Sequence, residues 1–261
     1  MLKIGWFSTG NGEGSLGFIK YFLEYVQKYN LDISLEYVFI NREYGEHNGS
    51  DNFIDYLKIN KINTITLSSK KFKKNNFNKP FSKYRREYDL EVKNRISSYD
   101  TDLIIMAGYM LILSDILCDN FRFINLHPAL PKGPKGTWMD VIKYLISNSI
   151  TESGLNVHVV TNKLDAGKSI GYCNFSYGDH DKEWQEYHEL SKNTESINYQ
   201  NLKLFSLIRN QILDREKILL LCVIEEFLKN KYVLNDIFDY PDKSEAYKSI
   251  NYSSKIDSIL S

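Results

Sequence analysis

Apolar residues follow two rhythms along the chain, and the alternation between them outlines an α/β protein. Ile4 to Phe7 is a short apolar run. After Ser8-Thr9-Gly10-Asn11-Gly12-Glu13-Gly14-Ser15, positions Leu16, Ile19, Phe22, Leu23 and Val26 recur at helical spacing, which predicts a strand, a glycine-rich turn and a helix. Ile33, Leu35, Tyr37 and Phe39 alternate, a helix capped by Ser50 or Asp51 runs through Leu57, and Ile62 to Leu67 makes a third strand. This is a βαβαβ wind. Lys70 to Ser82 has few apolar residues and no period, so an exposed loop is expected there. Tyr88, Val92, Ile96 and Tyr99 restore a helix, and Asp102 to Met106 is the next buried strand. It runs into an apolar corner, Ala107 to Leu113, with two readings, a wall for a flat heteroaromatic ligand and plain core packing, of which the stretch alone favours the second.

The strand that begins at Phe123 carries Asn125 and His127 at alternate positions, so both side chains point to one face. Pro128, Pro131 and Pro134, three of the chain's five prolines, follow at once and end the strand in a stiff loop, with Leu130-Pro131 a candidate cis bond. The imidazole therefore sits at a strand's carboxyl end, the edge where open α/β sheets bind ligands. Trp138, Val141, Ile142, Leu145 and Ile146 form a helix stripe with Trp138 read as core. Leu155, Val157 and Val159 face one way and Asn156, His158 and Val160 the other, in a strand entering the Leu164-Asp165-Ala166-Gly167 turn; Ser169 to Phe175 returns from it. His158 reads as a structural histidine with its ring hydrogen-bonded. Ser176 to Asn201 is polar and receives no element, Leu202 to Lys229 reads as one long helix or two in line, and the last thirty or so residues carry little signal. There is no internal repeat.

Charge narrows the function. Lys plus Arg and Asp plus Glu balance at 33 each, which removes the simplest argument for a nucleic-acid partner. The local basic patch of Lys70, Lys71, Lys73, Lys74, Lys83, Arg85 and Arg86 reads as a solvated excursion. Cys118, Cys173 and Cys222 are too few and too scattered for a disulfide framework or a zinc site, and are expected to be reduced thiols. No run approaches the ~18 apolar residues of a membrane span, and the start lacks a secretory pattern, so a cytoplasmic protein without a membrane partner is expected.

Asn125, His127 and Asp165 at one sheet edge supply an oxyanion donor that keeps its charge, a group that titrates near neutrality, and a carboxylate to hold or relay its proton. Those parts suit acyl transfer to an amine. No serine or cysteine nucleophile accompanies them, which favours direct transfer over a covalent acyl-enzyme. The Gly10 to Ser15 turn has the makings of a phosphate cradle, although it fits neither the P-loop nor the dinucleotide fingerprint. A plain βα turn remains the other reading.

In order and spacing over about residues 1 to 230, Asp102-Leu-Ile-Ile-Met-Ala-Gly-Tyr-Met-Leu-Ile-Leu113, Asn125-Leu-His-Pro-Ala-Leu130 and Val157-His-Val-Val-Thr-Asn-Lys-Leu-Asp165-Ala-Gly resemble the formyltransferase family, in particular its glycinamide ribonucleotide branch. The resemblance implies a Rossmann-like fold, a mostly parallel twisted sheet with helices on both faces. It places a catalytic domain over 1–230, with insertions at 70–85 and 176–201, and a C-terminal extension over 231–261. It implies direct transfer of a formyl group from 10-formyltetrahydrofolate, a co-substrate, to a primary amine, with glycinamide ribonucleotide of purine biosynthesis as acceptor and no metal. Asn125 and His127 would stabilise and protonate the tetrahedral intermediate, while Asp165 would tune His127 or hold a proton-carrying water. Met110, Leu111, Ile112 and Leu113, with Lys163 and Leu164, would line the folate. Gly10, Asn11, Gly12, Glu13, Gly14 and Ser15 would hold a substrate phosphate and Glu216 would contact the substrate, although a glutamate inside a helix otherwise reads as a solvated face. A homodimer is left open.

The chain also departs from the family pattern. An arginine expected after the Gly-Tyr-Met step is Leu111, the phosphate loop is altered around Glu13-Gly14, and the proline loop reads Ala129-Leu-Pro-Lys-Gly-Pro-Lys-Gly136. These departures keep three rivals alive: another amine such as an amino sugar nucleotide as acceptor, hydrolysis of formyltetrahydrofolate, and a binder without turnover. A nucleotide-dependent oxidoreductase fits less well, because the glycine loop is off-pattern.

Overall fold

Six of the seven residues of β1 (Leu2–Ser8) are buried, as expected of a strand covered on both faces. The structure, a computed structural model, describes residues 1–75, 80–194, 196–238 and 247–261. Residues 76–79, 195 and 239–246, which fall within the expected loop and insertions and the C-terminal extension, lie outside the described residues.

The other strands are β2 (Ile33–Ile40), β3 (Thr64–Thr66), β4 (Leu103–Met106), β5 (Phe123–His127), β6 (Glu152–Val159), β7 (Ser169–Ser176) and β8 (Ile250–Asn251). Their order in the sheet is β3-β2-β1-β4-β5-β6-β7-β8. β1 pairs in parallel with both β2 and β4, β2 with β3, β4 with β5, and β7 with β8. The winding direction reverses between β1 and β4, so the loops after those two strands flank a switch point, where the carboxyl ends of the strands leave a crevice. The helices are α1 (Glu13–Lys28), α2 (Asn48–Ile59), α3 (Ser69–Asn75), α4 (Phe81–Ile96), α5 (Asp115–Cys118), α6 (Trp138–Ser147), α7 (Asp181–Asn193), α8 (Lys203–Lys229), α9 (Lys231–Phe238) and α10 (Ser253–Leu260).

The chain divides into two compact units. The first comprises Met1–Asn125, His158–Lys168 and Ile224–Tyr247, the second Leu126–Val157, Ser169–Val223 and Lys248–Ser261. In the first, Phe7, Phe39, Tyr88, Val92, Ile104, Met106, Tyr109, Leu117 and Phe123 belong to one buried cluster. Phe7 sits among Phe39, Tyr109 and Phe123 with ring centroids 4.7–5.3 Å apart. Truncating such a ring to alanine costs about 3–5 kcal/mol.

Several sequence expectations need correction. Ser69–Asn75 is a helix within the stretch expected to be a loop, and α4 already begins at Phe81. The cap of α2 is His47, whose Nδ1 accepts from Gly49 N at 3.1 Å, in place of Ser50 or Asp51; Ser50 is buried inside the helix. Within 176–201, α7 and a 3-10 turn at Tyr199–Asn201 replace the unassigned stretch. The tail also has structure: β8 pairs with β7, and Tyr252 N donates to Tyr172 O at 2.8 Å, in the second unit. Among the described residues no peptide bond is cis, so Leu130-Pro131 is trans. Cys118, Cys173 and Cys222 are free thiols, and burial pushes those of Cys118 and Cys173 up to about 12. Among the described residues no helix is long and apolar enough to cross a membrane.

Candidate active site

In the first unit, β1 ends in a loop that two glycines bend. Gly10 and Gly12 hold φ of 64° and 95°, in the left-handed region that other residues enter at a cost. Ser8 Oγ accepts from Gly10 N at 3.1 Å and closes the turn. The glycine loop is shorter than expected, because α1 begins at Glu13 and places Glu13, Gly14 and Ser15 in its first turn. No side chain caps that helix. Beside the loop, Arg42 Nη1 donates to Asn11 Oδ1 and to Ser50 Oγ, each at 3.1 Å. The N-terminus of α2 presses close: a Cβ on Gly49 would lie 2.7 Å from Gly12 N.

The segment after β4 is tied to this loop. Thr9 N donates to Gly108 O and Met110 N donates to Thr9 Oγ1, both at 3.0 Å. Met110 and Ile112 are exposed, Leu111 is half-buried and Leu113 is buried in the core cluster. Asp89 of α4 anchors the far end of the segment, accepting from Ser114 N at 2.5 Å. Burial raises the Asp89 carboxyl above the ordinary carboxylate range, against the opposing hydrogen bonds from Ser114 and the charge of Arg85.

Asn125, His158 and Asp165 come together in the same unit. His158 Nδ1 lies 2.8 Å from Val159 O; a carbonyl oxygen only accepts, so this nitrogen carries the proton. In the neutral ring Nε2 is then an acceptor, and it takes a hydrogen bond from Asn125 Nδ2 at 3.3 Å. Asp165 Oδ1 stands 3.7 Å from the same Nε2. The ring that looks merely structural from its strand position thus lies between the amide and the carboxylate. Asp165 adopts φ 45°, a left-handed conformation that aspartate tolerates better than most residues. The turn then closes tightly: Val159 N donates to Lys168 O at 2.9 Å, and a Cβ on Gly167 would lie 1.6 Å from Val159 O. The glycine of the Leu-Asp-Ala-Gly signature is therefore a steric requirement. Lys163 and Leu164 are exposed on the turn.

His127 and Glu216 belong to the second unit. His127 follows Asn125 by two residues on β5 and is buried, with Nε2 2.8 Å from Pro134 O. That carbonyl belongs to the proline-rich loop, which Gly133 N to Leu130 O at 2.8 Å and a capping box between Thr137 and Asp140 hold at its far end. Glu216 is no solvated residue. Its side chain is 15% exposed and 3.3 Å from Arg209 Nη1, and burial raises its carboxyl against the pull of Arg209. The Arg209 guanidinium in turn lies 4.3 Å over the Trp138 ring, so Trp138 is a half-buried platform and not deep core. Among the described residues no three of His, Cys, Asp and Glu gather closely enough to hold a metal ion.

Comparison with known proteins supplies the family. Phosphoribosylglycinamide formyltransferase of Dictyostelium discoideum is 29% identical over 174 residues, 62% of this chain and 77% of that protein. The Escherichia coli protein of the same name is 35% identical over 88 residues, 33% of this chain, a match that spans only 41% of the E. coli protein. The solved phosphoribosylglycinamide formyltransferase of Campylobacter jejuni superposes with a TM-score of 0.62 at 22% identity, over 87% of this chain and 97% of that one, a likeness of fold. The family model described as formyl transferase matches residues 55–186, just over half of the chain and the part holding Asn125, His127, His158 and Asp165: the chain belongs to the formyl transferase family.

Proposed function

We propose that this chain transfers a formyl group from 10-formyltetrahydrofolate to a primary amine, and that the amine is glycinamide ribonucleotide. The observation that carries the reading is the Asn125–His158–Asp165 arrangement in a chain of this family. An amide nitrogen has two hydrogens. One Asn125 hydrogen goes to His158, which fixes the amide plane and leaves the second to meet the oxyanion that forms when an amine attacks the formyl carbon. In this reading His127 protonates the intermediate, and Asp165 tunes His127 or positions a proton-carrying water. The names of the relatives support the acceptor.

The exposed apolar pair Met110 and Ile112 suits the flat heterocycle of a folate, whose polar edge would be read by backbone groups of the same segment. Spectrophotometric release of folate from 10-formyltetrahydrofolate, with and without glycinamide ribonucleotide, tests the reading. Acceptor-dependent release is expected, and His127→Ala and Asp165→Asn should each lower turnover by about two to four orders of magnitude with the fold intact. Undiminished turnover in either variant removes that residue from the mechanism, and formate release without an amine would make the protein a hydrolase.

A further inference from the structure

We infer that Arg42 is a specificity-determining residue for the acceptor, supplying the positive charge that holds a phosphoryl group at the glycine loop. The inference rests on the acceptor side of the proposed reaction and adds a residue to it.

Arg42 is half-buried directly after β2, and its Nη1 is held by two neutral acceptors, the Asn11 amide oxygen and the Ser50 hydroxyl, each 3.1 Å away. The Ser50 hydroxyl spends its own proton on Thr9 O at 3.0 Å, so it can only accept from the guanidinium. Both anchors thus connect Arg42 to the glycine loop, one within it and one through Thr9. The carboxylates nearby in sequence are engaged elsewhere: Glu43 pairs with Lys71 at 2.6 Å, Glu46 accepts from Ser68 Oγ at 2.6 Å, and Asp51 accepts from Gly45 N at 2.9 Å. Among the described side chains no carboxylate pairs with Arg42. A guanidinium fixed by neutral groups, with Nε and Nη2 not engaged by any described side chain, is a fork for a planar or tetrahedral oxyanion.

The ligand chemistry is a phosphoryl oxyanion. It has two sources, a terminal phosphate monoester and the diphosphate of a sugar nucleotide, and binding experiments separate them without folate or turnover. Wild type, Arg42→Gln and Arg42→Lys are titrated calorimetrically with ribose 5-phosphate in one arm and a uridine diphosphate sugar in the other. Thermal unfolding serves as the fold control. At least one ligand is expected to bind the wild type, to lose about tenfold to a hundredfold in affinity in Arg42→Gln, and to recover part of it in Arg42→Lys. The arm that responds identifies the source. Failure of both ligands to bind the wild type, or equal binding by Arg42→Gln, overturns the inference. The outcome is independent of the reaction: phosphoryl binding lost in Arg42→Gln with no amine ever formylated keeps this inference and rejects formyl transfer. Transfer with an unchanged KM for the phosphorylated amine in Arg42→Gln does the reverse.

Discussion

The Nε2 atom of His158 accepts a hydrogen bond from the side-chain amide of Asn125 at 3.3 Å, while its Nδ1 is held by the neighbouring carbonyl of Val159. The ring is nearly inaccessible and the Asn125 side chain half-buried, so the bond holds the amide in one orientation. His158→Phe keeps the ring volume and removes the acceptor. Turnover should fall by about tenfold to a hundredfold with little change in KM for the folate, the scale for a misplaced positioning group. His158→Gln, which offers an oxygen, should restore part of it. Steady-state kinetics of the two variants decide the matter, and full activity in His158→Phe would detach His158 from Asn125's role.

Gly167 allows a sharper test, because no side chain fits where Val159 O already stands. Gly167→Ala must push the turn off β6 and should destabilise the protein by about 3 kcal/mol or more. Ala166→Gly, at the exposed neighbouring position, should change stability by no more than about 1 kcal/mol. Denaturant melts of both variants check the contrast. Equal midpoints would mean that the turn relaxes freely.

Asp89 gives a dependence on pH. Its carboxyl is raised by burial, so the fold favours the protonated form. The stability contributed by that preference is present below the ordinary carboxyl range, about 3.9, and is lost as pH rises through the raised value. Asp89→Asn does not titrate, yet its amide oxygen can still accept from Ser114 N. The melting temperature of the variant relative to wild type should therefore climb between pH 4 and pH 7. Parallel curves would mean that Asp89 does not titrate with folding.

The repeating apolar positions made the βαβ winding legible, because β1, β2, β4 and α4 bury long rows of side chains. Where few side chains are buried, the pattern had nothing to display. Helix α3 buries no residue and α7 only Trp184 and Tyr187, and β8 is two residues long. His47 as a cap is hidden in the sequence because serine and aspartate in the same stretch are the usual choices. Asn125, His127 and Asp165 could be picked out by residue type and spacing. The relation of His158 to Asn125 and Asp165 could not, since its amide partner lies 33 residues away in the chain. The burial of Glu216 is hidden for a similar reason: its cation is seven residues back on the same helix, and that cation in turn rests on Trp138 of another element.

Thr9 bonds to the segment after β4 in both directions, through its backbone N–H and through its hydroxyl. The loops after β1 and β4 are consequently one mechanical part. A substitution that reshapes either loop works against the two hydrogen bonds that it shares with the other. On the proposed reading, with the acceptor at the glycine loop and the folate along Met110 to Leu113, a change of preference on one side is transmitted through Thr9 to the other, and the two are best selected together.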